Sequence, residues 1–126
     1  MDRRIISTDK APSAIGPYSQ AVEVGGMVYT SGMIPVIPET GEVVSGVKEQ
    51  AKQALTNLKS LLEASGSSMD KVIKTTVFIK NMDDFADINE VYATFFNEGS
   101  YPSRSCVEVA RLPKDVFIEV EAIAVV

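Results

Sequence analysis

The apolar positions of this chain change period several times, and each change marks an element. From residue 47 to 64, Val47, Ala51, Ala54, Leu55, Leu58, Leu61 and Leu62 recur at helical spacing, with Lys, Glu and Gln opposite. That stripe predicts an amphipathic helix, and Gly66 just beyond it suits the stop. A second stripe of Phe85, Ile88, Tyr92, Phe95 and Phe96 predicts another helix, with Asp83 or Asp84 placed to cap it. Elsewhere the signal is that of strands. Residues 72–80 are rich in β-branched side chains; residues 19–24 and 27–31 flank Gly25-Gly26, a two-residue hairpin signal; residues 5–7 predict a short strand. Two prolines and a glycine make residues 11–18 a loop, and Pro35, Pro38 and Gly41 mark a second one.

The last 25 residues predict two strands joined by a Leu112-Pro113-Lys114-Asp115 turn. Because strand side chains alternate between faces, Arg104, Cys106 and Glu108 share one face of the first strand, and Glu119 and Glu121 share one face of the second. On that second strand Val116, Ile118, Val120, Ala122, Ala124 and Val126 form a face that helices can cover. The opposite face, Phe117, Glu119, Glu121, Ile123 and Val125, is too apolar to be left to water. The expected fold is therefore α+β, a single mixed β-sheet with two helices packed on one face, formed by one domain over residues 1–126. Its other face is expected to meet another copy of the chain, with Arg104 and Glu119 near the seam.

Composition narrows the chemistry. At 126 residues, 45% hydrophobic and 23% charged, the chain is expected to be globular. It shows no apolar run long enough to cross a bilayer and no secretory pattern at Met1-Asp2-Arg3-Arg4. A single cysteine, Cys106, rules out an intramolecular disulfide and makes the cytoplasm the expected compartment. The absence of histidine removes the commonest general base, the Ser-His and Cys-His pairs and the usual zinc ligands. A net charge of −5 with scattered Lys and Arg disfavours nucleic acid. Small-molecule chemistry without a metal or cofactor is the expectation.

Arg104 is the best candidate for an anion, because its planar fork can hold a carboxylate through two parallel hydrogen bonds. The competing reading is an internal ion pair with Glu108, Glu119 or Glu121. Glu119 can orient or deprotonate a water in a partly dry pocket, or can simply be a paired strand carboxylate. Cys106 has no histidine to activate it and reads as structural, with its backbone N–H available to an anion. Tyr18 sits in the Gly-Pro loop, where it either aims into a pocket or only packs. Ser31-Gly32 ends a strand, and Gly32 either lets a ligand approach the backbone or serves a turn. Asn89 reads as a partly buried amide in need of partners.

Four segments carry a resemblance: Ala14-Ile15-Gly16-Pro17-Tyr18-Ser19-Gln20, Tyr29-Thr30-Ser31-Gly32, Val72-Ile73-Lys74-Thr75-Thr76-Val77-Phe78-Ile79, and Arg104 through Asp115 with Ile118-Glu119-Val120-Glu121. Together they resemble the Rid family of reactive-intermediate deaminases, most closely its RidA branch, with no departure at the positions the family uses for chemistry. The resemblance implies a chorismate-mutase-like fold, a homotrimer with pockets between subunits, and cofactor-free hydrolysis of small 2-imino acids or their enamine tautomers to 2-keto acids and ammonia. It implies that Arg104 binds the substrate carboxylate and Glu119 positions the water, that Tyr18 and Ser31 contact substrate, and that backbone groups near Gly32 and Cys106 help hold it. A non-catalytic binding module is the main alternative; ribonuclease activity, attributed to some relatives, fits poorly with an acidic chain lacking histidine.

Overall fold

The structure, a computed structural model, describes residues 2–126. Its strands are β1 (Arg3–Ile6), β2 (Ala21–Val24), β3 (Met27–Thr30), β4 (Val72–Ile79), β5 (Ser103–Glu108) and β6 (Ile118–Val125), and its helices are α1 (Val47–Ala64) and α2 (Phe85–Ala93). The six strands form one sheet in the order β1-β2-β3-β6-β4-β5. Only β4 and β5 pair in parallel; the other neighbours are antiparallel, so the sheet is mixed. Both β3 and β4 run antiparallel to β6, so α1 and α2 each connect strands of the same direction, as a parallel crossover requires. The fold is the expected α+β one.

The core lies between the sheet and the helices. Leu55, Leu58, Leu61 and Leu62 of α1 pack against Val28, Val77, Val120 and Ala124 of the sheet, all fully buried. Helix α1 ends as its sequence demands. Gly66 takes φ +86°, the Ser67 N–H donates to the Leu62 carbonyl (2.9 Å) and the Gly66 N–H to that of Glu63 (3.1 Å). These two bonds satisfy carbonyls that the helix leaves open.

Four expectations need correction. Neither Asp83 nor Asp84 caps α2 with its side chain: a 3-10 turn (Met82–Asp84) precedes the helix, and Asn81 caps it by accepting from the Asp83 N–H at 2.9 Å. Helix α2 stops at Ala93, so Phe95 and Phe96 reach the core from the turn beyond it. Gln50 does not lie on the wet side of α1; it is buried, donating to the Val44 carbonyl and accepting from the Phe117 N–H. Val126, expected under the helices, is exposed. In addition, β5 and β6 follow each other in sequence but are separated by β4. The turn between them therefore spans a strand, and it does so with Lys114 and Asp115 both at positive φ, +57° and +55°.

Candidate active site

On β5, Arg104 lies directly opposite Thr75 of β4 and faces the helix layer. Its Nη1 donates to Asn89 Oδ1 of α2 at 2.7 Å. Its guanidinium lies over the Tyr92 ring at 4.8 Å and the Phe85 ring at 5.5 Å, where the faces of the π systems attract a cation. Tyr92 is held in turn: its hydroxyl shares a 2.7 Å buried hydrogen bond with Thr75 Oγ1, and burial pushes the phenol pKa up, keeping it neutral. The arginine is thus clamped on one edge and one face. A cavity of 460 Å³ opens beside it, between Asn89, Tyr92, Tyr101 and Pro102. The ion-pair reading of Arg104 is not realised: the ion pairs among the described residues are Arg4–Glu23, Lys48–Glu90 and Arg111–Asp115. Glu108 instead accepts from the Met82 N–H at 2.8 Å. One turn of the pleat from Arg104, Cys106 packs against the core, and burial raises its pKa. That environment fits a structural thiol rather than a thiolate nucleophile.

Glu119 belongs to β6, opposite Phe78 of β4, on the face without helices. It is half-buried. Burial, and then the nearby Glu121 charge, hold its pKa above the ordinary carboxylate value. The reason for its placement is Gly32. A Cβ built at residue 32 would stand 2.6 Å from Glu119 Cδ and 2.8 Å from its Oε2, so any other residue would push this carboxyl from where it stands. Neighbouring Ser31 is fixed, its Oγ donating to the Ser19 carbonyl at 2.6 Å. Tyr18, half-exposed, lines with Ile15, Gly32, Met33, Lys114 and Glu119 a second cavity of 450 Å³.

The expected residues therefore fall into two groups on opposite faces of the sheet. Arg104, Cys106 and Asn89 belong to the helix side; Tyr18, Gly32 and Glu119 gather on the other, with Ser31 fixed beside them. The register leaves no choice, because Thr75 and Phe78 are three residues apart on β4 and so point to opposite faces. Three buried amides were not singled out as candidates: Gln20, Gln50 and Asn57. Asn57 donates to the carbonyls of Ile34 (3.0 Å) and Val36 (2.8 Å), in the wall of the Glu119 cavity. An amide in a helical stripe looks like a surface residue, and only the loop packed over it shows otherwise. A larger concavity between α1 and α2, 730 Å³, contains none of these residues, and its Lys48 is already paired with Glu90.

Comparison with known proteins agrees over nearly the full chain. The family model described as endoribonuclease L-PSP matches residues 8–126. The 2-iminobutanoate/2-iminopropanoate deaminase of Escherichia coli is 56% identical over 124 residues, covering 97% of each chain. The crystal structure of Escherichia coli TdcF with bound serine is 57% identical with a TM-score of 0.94 and covers 98% of both chains. That of RidA from an Antarctic Psychrobacter is 46% identical, also with a TM-score of 0.94, covering 98% of this chain and 99% of its own. With a family model matching residues 8–126 and relatives more than half identical over nearly the whole chain, the chain belongs to the Rid family.

Proposed function

We propose that this chain is a 2-iminobutanoate/2-iminopropanoate deaminase, hydrolysing small 2-imino acids and enamines such as 2-aminoacrylate to 2-keto acids and ammonia. It works as a homotrimer with pockets between subunits, in the reducing cytoplasm where a lone cysteine is at home. The observation that carries the reading is the clamped guanidinium of Arg104. Asn89 takes one N–H of Nη1 and Tyr92 backs one face, which leaves the rest of the fork free for a small carboxylate. The Escherichia coli relative named as such a deaminase, and the bound serine of TdcF, support a ligand of this size and charge.

The chemistry needs little beyond orientation. An enamine first tautomerises to the imine, whose protonated C=N carbon is a strong electrophile. Water adds to that carbon while Glu119 takes its proton. Glu119 then returns that proton to the amino group of the carbinolamine, the C–N bond breaks as the ketone forms, and the hydroxyl proton leaves with ammonia as ammonium. Glu119 suits this role because burial and Glu121 raise its proton affinity. Since Arg104 and Glu119 face opposite sides of one sheet, one ligand meets both only where one subunit's Arg104 side abuts another's Glu119 side. Tyr18, Ser31 and the backbone at Gly32 and Cys106 complete the pocket in this reading. The test is to couple a threonine or serine dehydratase to the protein and follow keto-acid release. Acceleration by the parent and its loss in Arg104→Ala are expected; equal acceleration by both overturns the assignment.

A further inference from the structure

We infer that Gln20 is a positioning residue that builds the Glu119 side of the pocket, by fixing the Tyr18 loop against the strand end that carries Ser31 and Gly32. The inference rests on the deaminase reading for its effect on turnover, though not for its effect on the loop. Gln20 is 4% exposed, at the entry to β2. Its side-chain amide is fully engaged with loop backbone. Oε1 accepts from the Thr8 N–H at 2.7 Å. Nε2 donates to the carbonyls of Pro12 at 2.8 Å and Thr8 at 3.0 Å, with that of Ala11 at 3.4 Å. On its other side, the Gln20 carbonyl accepts from the Ser31 N–H at 2.8 Å, next to the bond from Ser31 Oγ to Ser19.

One residue thus joins the two strips of backbone that flank Glu119. Residues 12–18 contribute Pro12, Ser13, Ile15 and Tyr18 to the cavity wall, and residues 31–34 contribute Gly32 and its neighbours. Between Thr8 and Tyr18 the loop has little internal support. Its own bonds are short-range ones, Tyr18 N–H to the Gly16 carbonyl, Ile15 N–H to Tyr18 Oη at 3.4 Å and Lys10 N–H to Thr8 Oγ1. Ile15 is 79% exposed. Among the described residues, the side-chain hydrogen bonds that hold residues 8–12 to the sheet all come from Gln20. Ala11 is packed into the core beside these bonds, so losing Gln20 frees chiefly the part of the loop beyond it, residues 12–18, and Tyr18 lies two residues from the lost anchor.

The chemistry of the amide makes the inference testable. Only a carboxamide presents an acceptor to one N–H and donors to several carbonyls at this length. Glutamate has the same shape but, when ionised, would set a carboxylate oxygen against the carbonyls of Thr8, Ala11 and Pro12. Burial and those acceptors would raise its pKa, and protonation would restore one donor. The ionisable groups nearest in the loop, Asp9 and Lys10, are exposed, and the residues at and just beyond the end of β3, Thr30 and Ser31, carry only hydroxyls.

Gln20→Glu and Gln20→Leu should be compared with the parent and with Leu61→Val, a core change at a residue that lines neither cavity and is expected to lower stability. In the dehydratase-coupled assay, Gln20→Leu is expected to lose about tenfold in kcat/KM at a temperature where it is folded, since small misplacements of reacting groups are costly. Gln20→Glu is expected to be as poor at pH 8 and to recover towards the parent, measured at the same pH, as pH falls to 6. It remains informative if Gln20→Leu is not recovered folded. A pH-independent ratio near unity, or an equal kinetic loss in Leu61→Val, overturns the inference. If the parent itself shows no turnover, the deaminase reading fails separately. Limited proteolysis then decides about Gln20: cleavage near Ile15 should be faster in Gln20→Glu than in the parent, and more so at higher pH, and equal rates overturn it.

Discussion

In the proposed mechanism Glu119 has to be unprotonated to take a proton from water, yet its surroundings favour the protonated form, first by burial and then through Glu121. Activity is therefore expected to fall as pH drops through a pKa above the ordinary carboxylate range, and Glu121→Gln should move that acid limb to lower pH. The move should be partial, because burial is the larger cause; a pH profile of kcat/KM checks it. The sign for stability is opposite. A carboxyl whose pKa is raised by folding destabilises the native state above its folded pKa and does so no longer below its unfolded one. Glu119→Gln is expected to be more stable than the parent at neutral pH and to lose that advantage in acid, by urea unfolding at several pH values. For Arg104 the clamp matters as much as the charge. Asn89→Ala should raise KM by about tenfold, the loss of one charge-assisted hydrogen bond, with a smaller effect on kcat. Both charged residues were legible as candidates from their type and strand alternation. What each was near was not, because the partners of Arg104, Asn89 and Tyr92, come from a helix whose rotation depends on tertiary packing.

At the scale of elements, periodicity located both helices and the last two strands, since burial on one face imposes a period that the sequence must carry. The β-branched content and the Gly25-Gly26 signal located β2 to β4, and the first strand, expected at residues 5–7, runs Arg3–Ile6. The order of the strands was less visible. Nothing local in Leu112-Pro113-Lys114-Asp115 shows that β4 intervenes between β5 and β6. The buried amides escaped for a related reason: Asn57 and Gln50 serve carbonyls and N–H groups of loops, and loops have no period. Asn57 holds the irregular segment at Ile34 and Val36 to α1 and also accepts from Gln53 Nε2 at 2.9 Å. Asn57→Leu fills similar volume but leaves the buried Val36 carbonyl without a donor, while the Ile34 carbonyl keeps the Val36 N–H at 2.8 Å. It should cost about 1–3 kcal/mol for that one carbonyl, read as a lower urea midpoint at unchanged slope. A shift under a few tenths of a kcal/mol would show that water or a rearranged loop replaces the amide.

At the scale of the whole molecule, one face of the sheet is left without a layer. Ile5, Tyr29, Val107 and Val125 are exposed on it, around the half-buried Phe78 and Ile123. A second copy of the chain is the simplest cover for such a face, and the positions of Arg104 and Glu119 on opposite faces give that cover a functional consequence. If each pocket takes Arg104 from one subunit and Glu119 from the next, then Arg104→Ala and Glu119→Gln, each inactive alone, carry complementary halves. After unfolding, mixing in equal amounts and refolding, about a quarter of the pockets should pair an intact Arg104 with an intact Glu119, and about a quarter of the parent's activity should return. Ile123→Glu, placed at the centre of the bare face, should yield smaller particles by sedimentation and lose activity together with assembly. Mixed subunits that co-assemble but stay inactive would mean that both residues serve a single protomer, a result that the strand register of β4 with β5 and β6 could accommodate only through a different pairing of strands.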